Sequence, residues 1–350
     1  MKRPFLALTQ GDPAGIGPEI LLKLLAQGPP SGWRPLLITE RAALEALRPS
    51  LPTFPWDRLR YVSSPPEEMG DEIPVLDPVG SRRAISLGIS GPADAAGAMA
   101  ALDAGIALVR GGLADALVTA PVSKESIARH HLHGFKGHTD YLAEACGLER
   151  YGRDYLMAFL APGLQVALLN VHMPLREALD GIREDTIAEA LDCLHRHAGG
   201  RIALAGLNPH AGEGGLLGEE DGRILAPAVA AGRARGIDVH GPQSADSLFA
   251  RAQRGEFDWV LALYHDQGLI AVKTAAFGQA TNWTLGLPFL RTSVDHGTAF
   301  GLAGRGLAEE GPMRAVVEAT LGILAGRLPA RTHGRTRTVT DSHGHPERSV

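Results

Sequence analysis

Three histidines, His172, His210 and His265, each follow an apolar run of the kind that forms a buried strand: residues 166–170, 202–208 and 259–263. Neutral imidazole is a common ligand for divalent metals, and a catalytic metal takes about three protein ligands while keeping one position open. In α/β proteins ligands bind beyond the carboxyl ends of parallel strands, so three such ends can bring distant histidines to one point. Two carboxylates suit orienting a ligand or moving a proton: Asp266, beside His265, and Asp246, near the start of a helix. Asp246 also fits a plainer role, as a first-turn acid favoured by the helix dipole. No H-E-x-x-H pair fixes two ligands on one helix, so spacing leaves open the alternative of three buried, hydrogen-bonded histidines.

Cations stand nearby. The apolar run 115–118 empties into Thr119-Ala120-Pro121-Val122-Ser123-Lys124, where Ser123 is a sound N-cap. Lys124 suits an anionic substrate and equally a solvated surface. Lys136-Gly137-His138-Thr139-Asp140 precedes a further helix pattern, with Thr139 or Asp140 as its cap and His138 toward the cleft.

The scaffold that must position these groups reads as α/β. Strand-like segments at 5–8, 35–38, 59–62 and 75–76 alternate with helix patterns, among them an alanine-rich one over 92–109 closed by Gly111-Gly112. Residues 156–160 and 164–169, separated by Ala161-Pro162-Gly163, predict an antiparallel pair and hence a mixed sheet. The glycine-rich segment 11–19 lacks the G-x-G-x-x-G spacing, which favours tight strand-to-helix packing over a dinucleotide loop. A last helix pattern covers 313–328, and the polar composition of 331–350 predicts a disordered tail.

With 350 residues, 45% of them hydrophobic, the chain is long enough for a large core arranged in two lobes. A net charge of -5 offers no basic field and argues against nucleic acid as a partner. Two cysteines, Cys146 and Cys193, argue against a disulfide framework and a cysteine metal site. The first apolar run is too short for a secretory signal and no run approaches a membrane span, so a cytoplasmic location without membrane contact is expected.

Several longer stretches resemble the 4-hydroxythreonine-4-phosphate dehydrogenase family of pyridoxal 5'-phosphate biosynthesis: 11–19, 119–124, Gly137-His138-Thr139, 206–213, 264–269 and 284–299. The resemblance runs in order across nearly the whole chain. It implies a two-lobed αβα sandwich related to the isocitrate and isopropylmalate dehydrogenases. Residues 1–122 with 272–330 would form a cofactor-side lobe, and 123–271 a metal and dimerisation lobe. It also implies an obligate homodimer with shared active sites, a divalent metal (zinc first, magnesium or cobalt as alternatives) and NAD or NADP as oxidant.

Carried over to matching positions, His172, His210 and His265 resemble the metal ligands, and His138, Thr139, Lys273, Asn282 and Arg291 the substrate contacts. Lys273 joins Asp246 and Asp266 as a candidate for catalysis. His296-Gly297-Thr298-Ala299 resembles the adenosine loop of the isopropylmalate type, which does without the G-x-G-x-x-G turn. The implied reaction oxidises a phosphorylated amino acid at a secondary alcohol, giving a β-keto acid that decarboxylates to 3-amino-2-oxopropyl phosphate. Three departures bear on the pocket: Asp140 for glutamate, Asn170-Val171 for two threonines, and Trp283 for a smaller aliphatic residue. Paralogues acting on threonate or erythronate 4-phosphate are the nearest alternative, and a metal-dependent hydrolase is the alternative of another class.

Overall fold

The computed structural model describes residues 3–27, 32–67 and 70–328, so the tail expected over 331–350 lies outside the described residues. Twelve strands among the described residues make one sheet: β1 (Phe5–Thr9), β2 (Arg34–Ile38), β3 (Leu59–Tyr61), β4 (Ile73–Leu76), β5 (Ala116–Thr119), β6 (Leu156–Ala161), β7 (Leu164–Leu168), β8 (Ile202–Ala205), β9 (Val239–Gln243), β10 (Trp259–Ala262), β11 (Thr281–Leu285) and β12 (Leu290–Val294). Their order across the sheet is β3-β4-β2-β1-β5-β12-β11-β6-β7-β10-β8-β9. Helices cover both faces, giving the expected αβα sandwich. Leu6 and Leu8 pack on one face beside the helices Gly17–Ala26 and Gly311–Leu324, while Phe5 and Ala7 pack on the other beside Pro92–Arg110. Burial on both faces explains why these strands read as unbroken apolar runs.

The mixed sheet is organised differently from a single row of parallel ends. The pairs β12–β11, β11–β6 and β6–β7 are antiparallel, and the remaining pairs are parallel. Three reversals in succession point the carboxyl ends of β5 and β12 to one edge, and those of β7, β10 and β8 to the opposite edge. Hydrophobic periodicity reveals a strand's buried faces but not its neighbour or direction, which is why the seam was invisible in the sequence.

Two sequence expectations change. The stretch after β10 is not a glycine turn: His265 opens the helix His265–Ala275, and Gly268 lies inside it. A Cβ at Gly268 would come within 2.6 Å of Leu168 and 2.9 Å of Val166, so glycine lets this helix lie close on β7. The helix Pro92–Arg110 is long and apolar enough to meet the length of a membrane span, but much of it, from Ala95 to Val109, is buried against the sheet. The segment 11–19 packs tightly as expected. A Cβ on Gly17 would meet the Gln10 carbonyl oxygen at 2.0 Å, and the Asp12 carboxylate accepts from Ala14 N–H and the Ser90 hydroxyl.

Candidate functional site

A cleft of about 310 Å³ lies over the antiparallel seam, with Met157 and Phe159 of β6, Asn282 of β11 and Arg291 and Ser293 of β12 on its floor. One wall is the start of helix His138–Ala145 and the loop that follows β5, and the other is His172 with the helix begun by His265. Lys124, Lys136, Lys273 and Arg291 line it against Asp140 and Asp295, so the cleft favours an anion.

Arg291 is the anchor of one end. It sits inside β12 rather than at a strand terminus, 2% exposed, with its two terminal nitrogens donating to Thr284 Oγ1 (3.0 Å) and Thr119 Oγ1 (2.7 Å). Its Nε is buried and has no partner. No carboxylate neutralises it among the ion pairs of the described residues, and burial pulls its pKa down to about 9. A buried cation held only by neutral hydroxyls is unfavourable unless a counter-charge arrives, so this end is built for an anionic ligand. Nearby, Asn282 Oδ1 is likewise buried without a partner, offering an acceptor to a ligand N–H or O–H. Thr119 and Thr284 were not singled out as contacts. The signal available was alternation, since Asn282 and Thr284 share a face of β11 while Trp283 points into the opposite core.

His138 occupies the first turn of its helix, after Gly137, and lines the cleft with Thr139. Burial, and then the charges of Arg291 and Lys124, hold its pKa well below the usual value, so the ring is neutral. Tyr155 donates to Asp140 Oδ1 at 3.2 Å and fixes that carboxylate at the rim. Lys124 lines the cleft, which favours the first of its two sequence readings.

At the other end the rings of His172 and His265 lie 5.4 Å apart. Partial burial, then Lys124 and His265, lowers the pKa of His172. His265 Nδ1 is held by Asp266 Oδ1 at 2.7 Å, which leaves Nε2 free, the arrangement usual for a metal-ligating imidazole. His210 has the same arrangement with Glu213 Oε2 at 2.8 Å, but its side chain is 63% exposed and it does not line the cleft. It stands in a left-handed turn over Pro209–Gly215, held at its start by the buried Asp221, which accepts from the Leu207 and Asn208 N–H groups. Among the described residues no group of three or more ligating side chains is placed to hold a metal. Of the three histidines, His172 and His265 are therefore neighbours and His210 stands apart from them.

Asp246 also lies outside the cleft, accepting from Ser244 Oγ at 2.7 Å. His296 and Gly297 line the cleft, whereas Thr298 turns toward segment 11–19, its carbonyl oxygen accepting from Ile16 N–H at 3.1 Å. The 86–90 segment joins them, because Gly88 N–H donates to Ala14 O at 2.8 Å.

Fold and cleft together define an α/β protein with a cation-rich cleft on the face of its sheet, closed at one end by a pair of histidines. The chain belongs to the family of the pyridoxal phosphate biosynthetic protein PdxA, matched over residues 32–320. It is 42% identical over 338 residues to the 4-hydroxythreonine-4-phosphate dehydrogenase of Acidithiobacillus ferrooxidans, covering 93% of this chain and 98% of that protein. It is also 37% identical over 325 residues to the D-threonate 4-phosphate dehydrogenase of Pectobacterium atrosepticum, covering 89% and 97%. The crystal structure of the Klebsiella pneumoniae 4-hydroxythreonine-4-phosphate dehydrogenase superposes with a TM-score of 0.80 at 37% identity, covering 92% of this chain and 99% of that one.

Proposed function

We propose that this chain oxidises 4-phosphohydroxy-L-threonine with NAD or NADP in pyridoxal 5'-phosphate biosynthesis, releasing carbon dioxide and 3-amino-2-oxopropyl phosphate. The observation that carries the reading is the buried Arg291, without a carboxylate partner and with Nε open, next to the open Asn282 Oδ1. A phosphate on Arg291 gains charge-assisted hydrogen bonds and relieves the unpaired cation. Asn282 Oδ1 then faces the substrate's amine or hydroxyl, and Lys273 supplies a second cation suited to its carboxylate. Neutral His138 contributes a hydrogen bond without adding charge, and Leu269, Val171 and Phe159 exclude water from the reacting carbons.

His172 and His265 are assigned to one divalent metal, with His210 of a second copy as the third ligand and Asp266 as the carboxylate that orients His265. Exposed apolar residues on the histidine-bearing segments support such a homodimer: Met173 and Leu175 after His172, Leu216 and Leu217 after His210, Ile270 and Phe277 after His265. A divalent metal held by these residues, zinc first, would supply Lewis acidity toward the alcohol and the new ketone. A nicotinamide cofactor would supply the hydride acceptor, and we assign its binding to the loop 296–299 on the lobe formed by 1–122 with 272–330. Support comes from the bond that ties this loop to segment 11–19, which in turn holds segment 86–90. In balance, the alcohol carbon gives a hydride to the cofactor and its hydroxyl gives a proton. The C–C bond to the carboxylate then breaks, its electrons pass to the new ketone, and a proton restores the product carbon. This reading places the enzyme in the cytoplasm.

The test is NAD(P)H absorbance with purified protein, 4-phosphohydroxy-L-threonine and zinc. We expect absorbance to rise with this substrate faster than with D-threonate 4-phosphate, and no rise with His210→Ala. Full activity of metal-free protein in chelator, or product release without cofactor reduction, contradicts the reading.

A further inference from the structure

Two side-chain amides hold the two backbone groups of one residue, Leu263, two positions before His265. Asn170, 8% exposed, lies two residues before His172 and donates through Nδ2 to the carbonyls of Leu263 and Ala178, each at 3.1 Å. Gln267, two residues after His265, accepts the Leu263 N–H through Oε1 at 2.7 Å and donates through Nε2 to the Gly206 carbonyl at 2.8 Å. Both backbone groups of Leu263 are thus held by side chains, one tied to the His172 segment and one to the segment that leads to His210. The sheet ladder does not do this work. Its pairing of β10 with β7 ends at the bond from Leu169 N–H to Ala262 O, and its pairing with β8 ends earlier.

We infer that Asn170 and Gln267 form a clasp through Leu263 that sets the relative positions of the three histidine-bearing segments, making both of them positioning residues for the metal end of the cleft. The inference rests on the reading of His172, His210 and His265 as metal ligands. Buried carbonyls left facing one another without a donor are costly, so loss of the clasp moves the segments rather than leaving a silent gap.

The test compares the full-length parent with Asn170→Asp, which keeps the shape and removes both donors, and Gln267→Glu, which removes the donor to Gly206 alone. Metal-free crystal structures report the histidine positions, and zinc titration against a competing chromophoric chelator reports affinity. In Asn170→Asp the His172 and His265 rings should separate beyond 5.4 Å, and zinc affinity should fall about 10- to 100-fold. Gln267→Glu should shift the 206–210 segment with a smaller loss of affinity. A lower melting temperature with ring spacing and zinc affinity equal to the parent's would overturn the inference, because a merely structural pair behaves that way. Should Asn170→Asp not fold, Gln267→Glu decides by the same two readouts. A parent that binds no zinc sinks the metal reading, and the clasp is then decided by the histidine spacing in the metal-free structures.

Discussion

The two ends of the cleft differ in how much of each a single chain builds. At the Arg291 end every component is present: a cation 2% exposed, two hydroxyls oriented on it, an open Nε and an open amide oxygen beside it. At the histidine end one chain brings two rings to 5.4 Å and leaves the third histidine 63% exposed on a separate turn. Burial accounts for the contrast. Arg291 is enclosed by strands that the sheet itself pairs, so its geometry follows from folding. His172, His210 and His265 sit past strand ends, where loops and helix starts are set by side-chain bonds and by whatever covers them.

The largest effect that probes this contrast is expected from Arg291→Met. Removing the buried cation should raise KM for the phosphorylated substrate about 100-fold or more, corresponding to roughly 3 kcal/mol for a buried charge-assisted contact. Because the same change removes an unpaired charge from the interior, the melting temperature should hold or rise. Steady-state kinetics and thermal melts check both halves, and an unaltered KM breaks the comparison at its stronger end.

Gly268→Ala probes the weaker end. Its Cβ would press on Leu168 and Val166, so stability should drop by about 1–3 kcal/mol in denaturant melts. Zinc affinity should drop with it as the His265 helix lifts. Loss of stability with unchanged zinc binding would show that this end tolerates displacement.

A smaller, pH-dependent effect belongs to His138. The folded protein resists protonating this ring, whereas the unfolded chain takes the proton below about 6.5. The unfolded state therefore binds more protons in that window, and stability should fall as pH drops from 7 to 5, with a slope of at most about 1.4 kcal/mol per pH unit from this group. His138→Gln should flatten the slope. An equal slope in both proteins would remove His138 from the account.

Much of this was legible in advance because each reading matched a local physical rule. Apolar runs marked the strands, Ala161-Pro162-Gly163 marked the β6–β7 hairpin, and Ser123 caps its helix through Ser126 N–H at 3.1 Å. Within the site, Arg291 and Asn282 were named, but their environment was not. Thr119 reaches Arg291 across 172 positions of sequence, a contact set by β5–β12 pairing that no local pattern encodes. The reversal of the two halves of the sheet was hidden for the same reason. It puts the cleft on the face of the seam rather than beyond one row of strand ends.

On the proposed function, one chain completes the anion seat while two chains complete the metal end. Mixing subunits tests it most directly: His210→Ala and His265→Ala proteins are unfolded together in equal amounts, refolded, and assayed for NADH or NADPH formation. Each variant alone should be inactive. If His210 comes from the second copy, random pairing makes half the dimers mixed, each with one intact site of two, and activity should return to about a quarter of the parent's. A mixture as inactive as either variant alone would mean that one chain supplies all three ligands, and the account would be wrong.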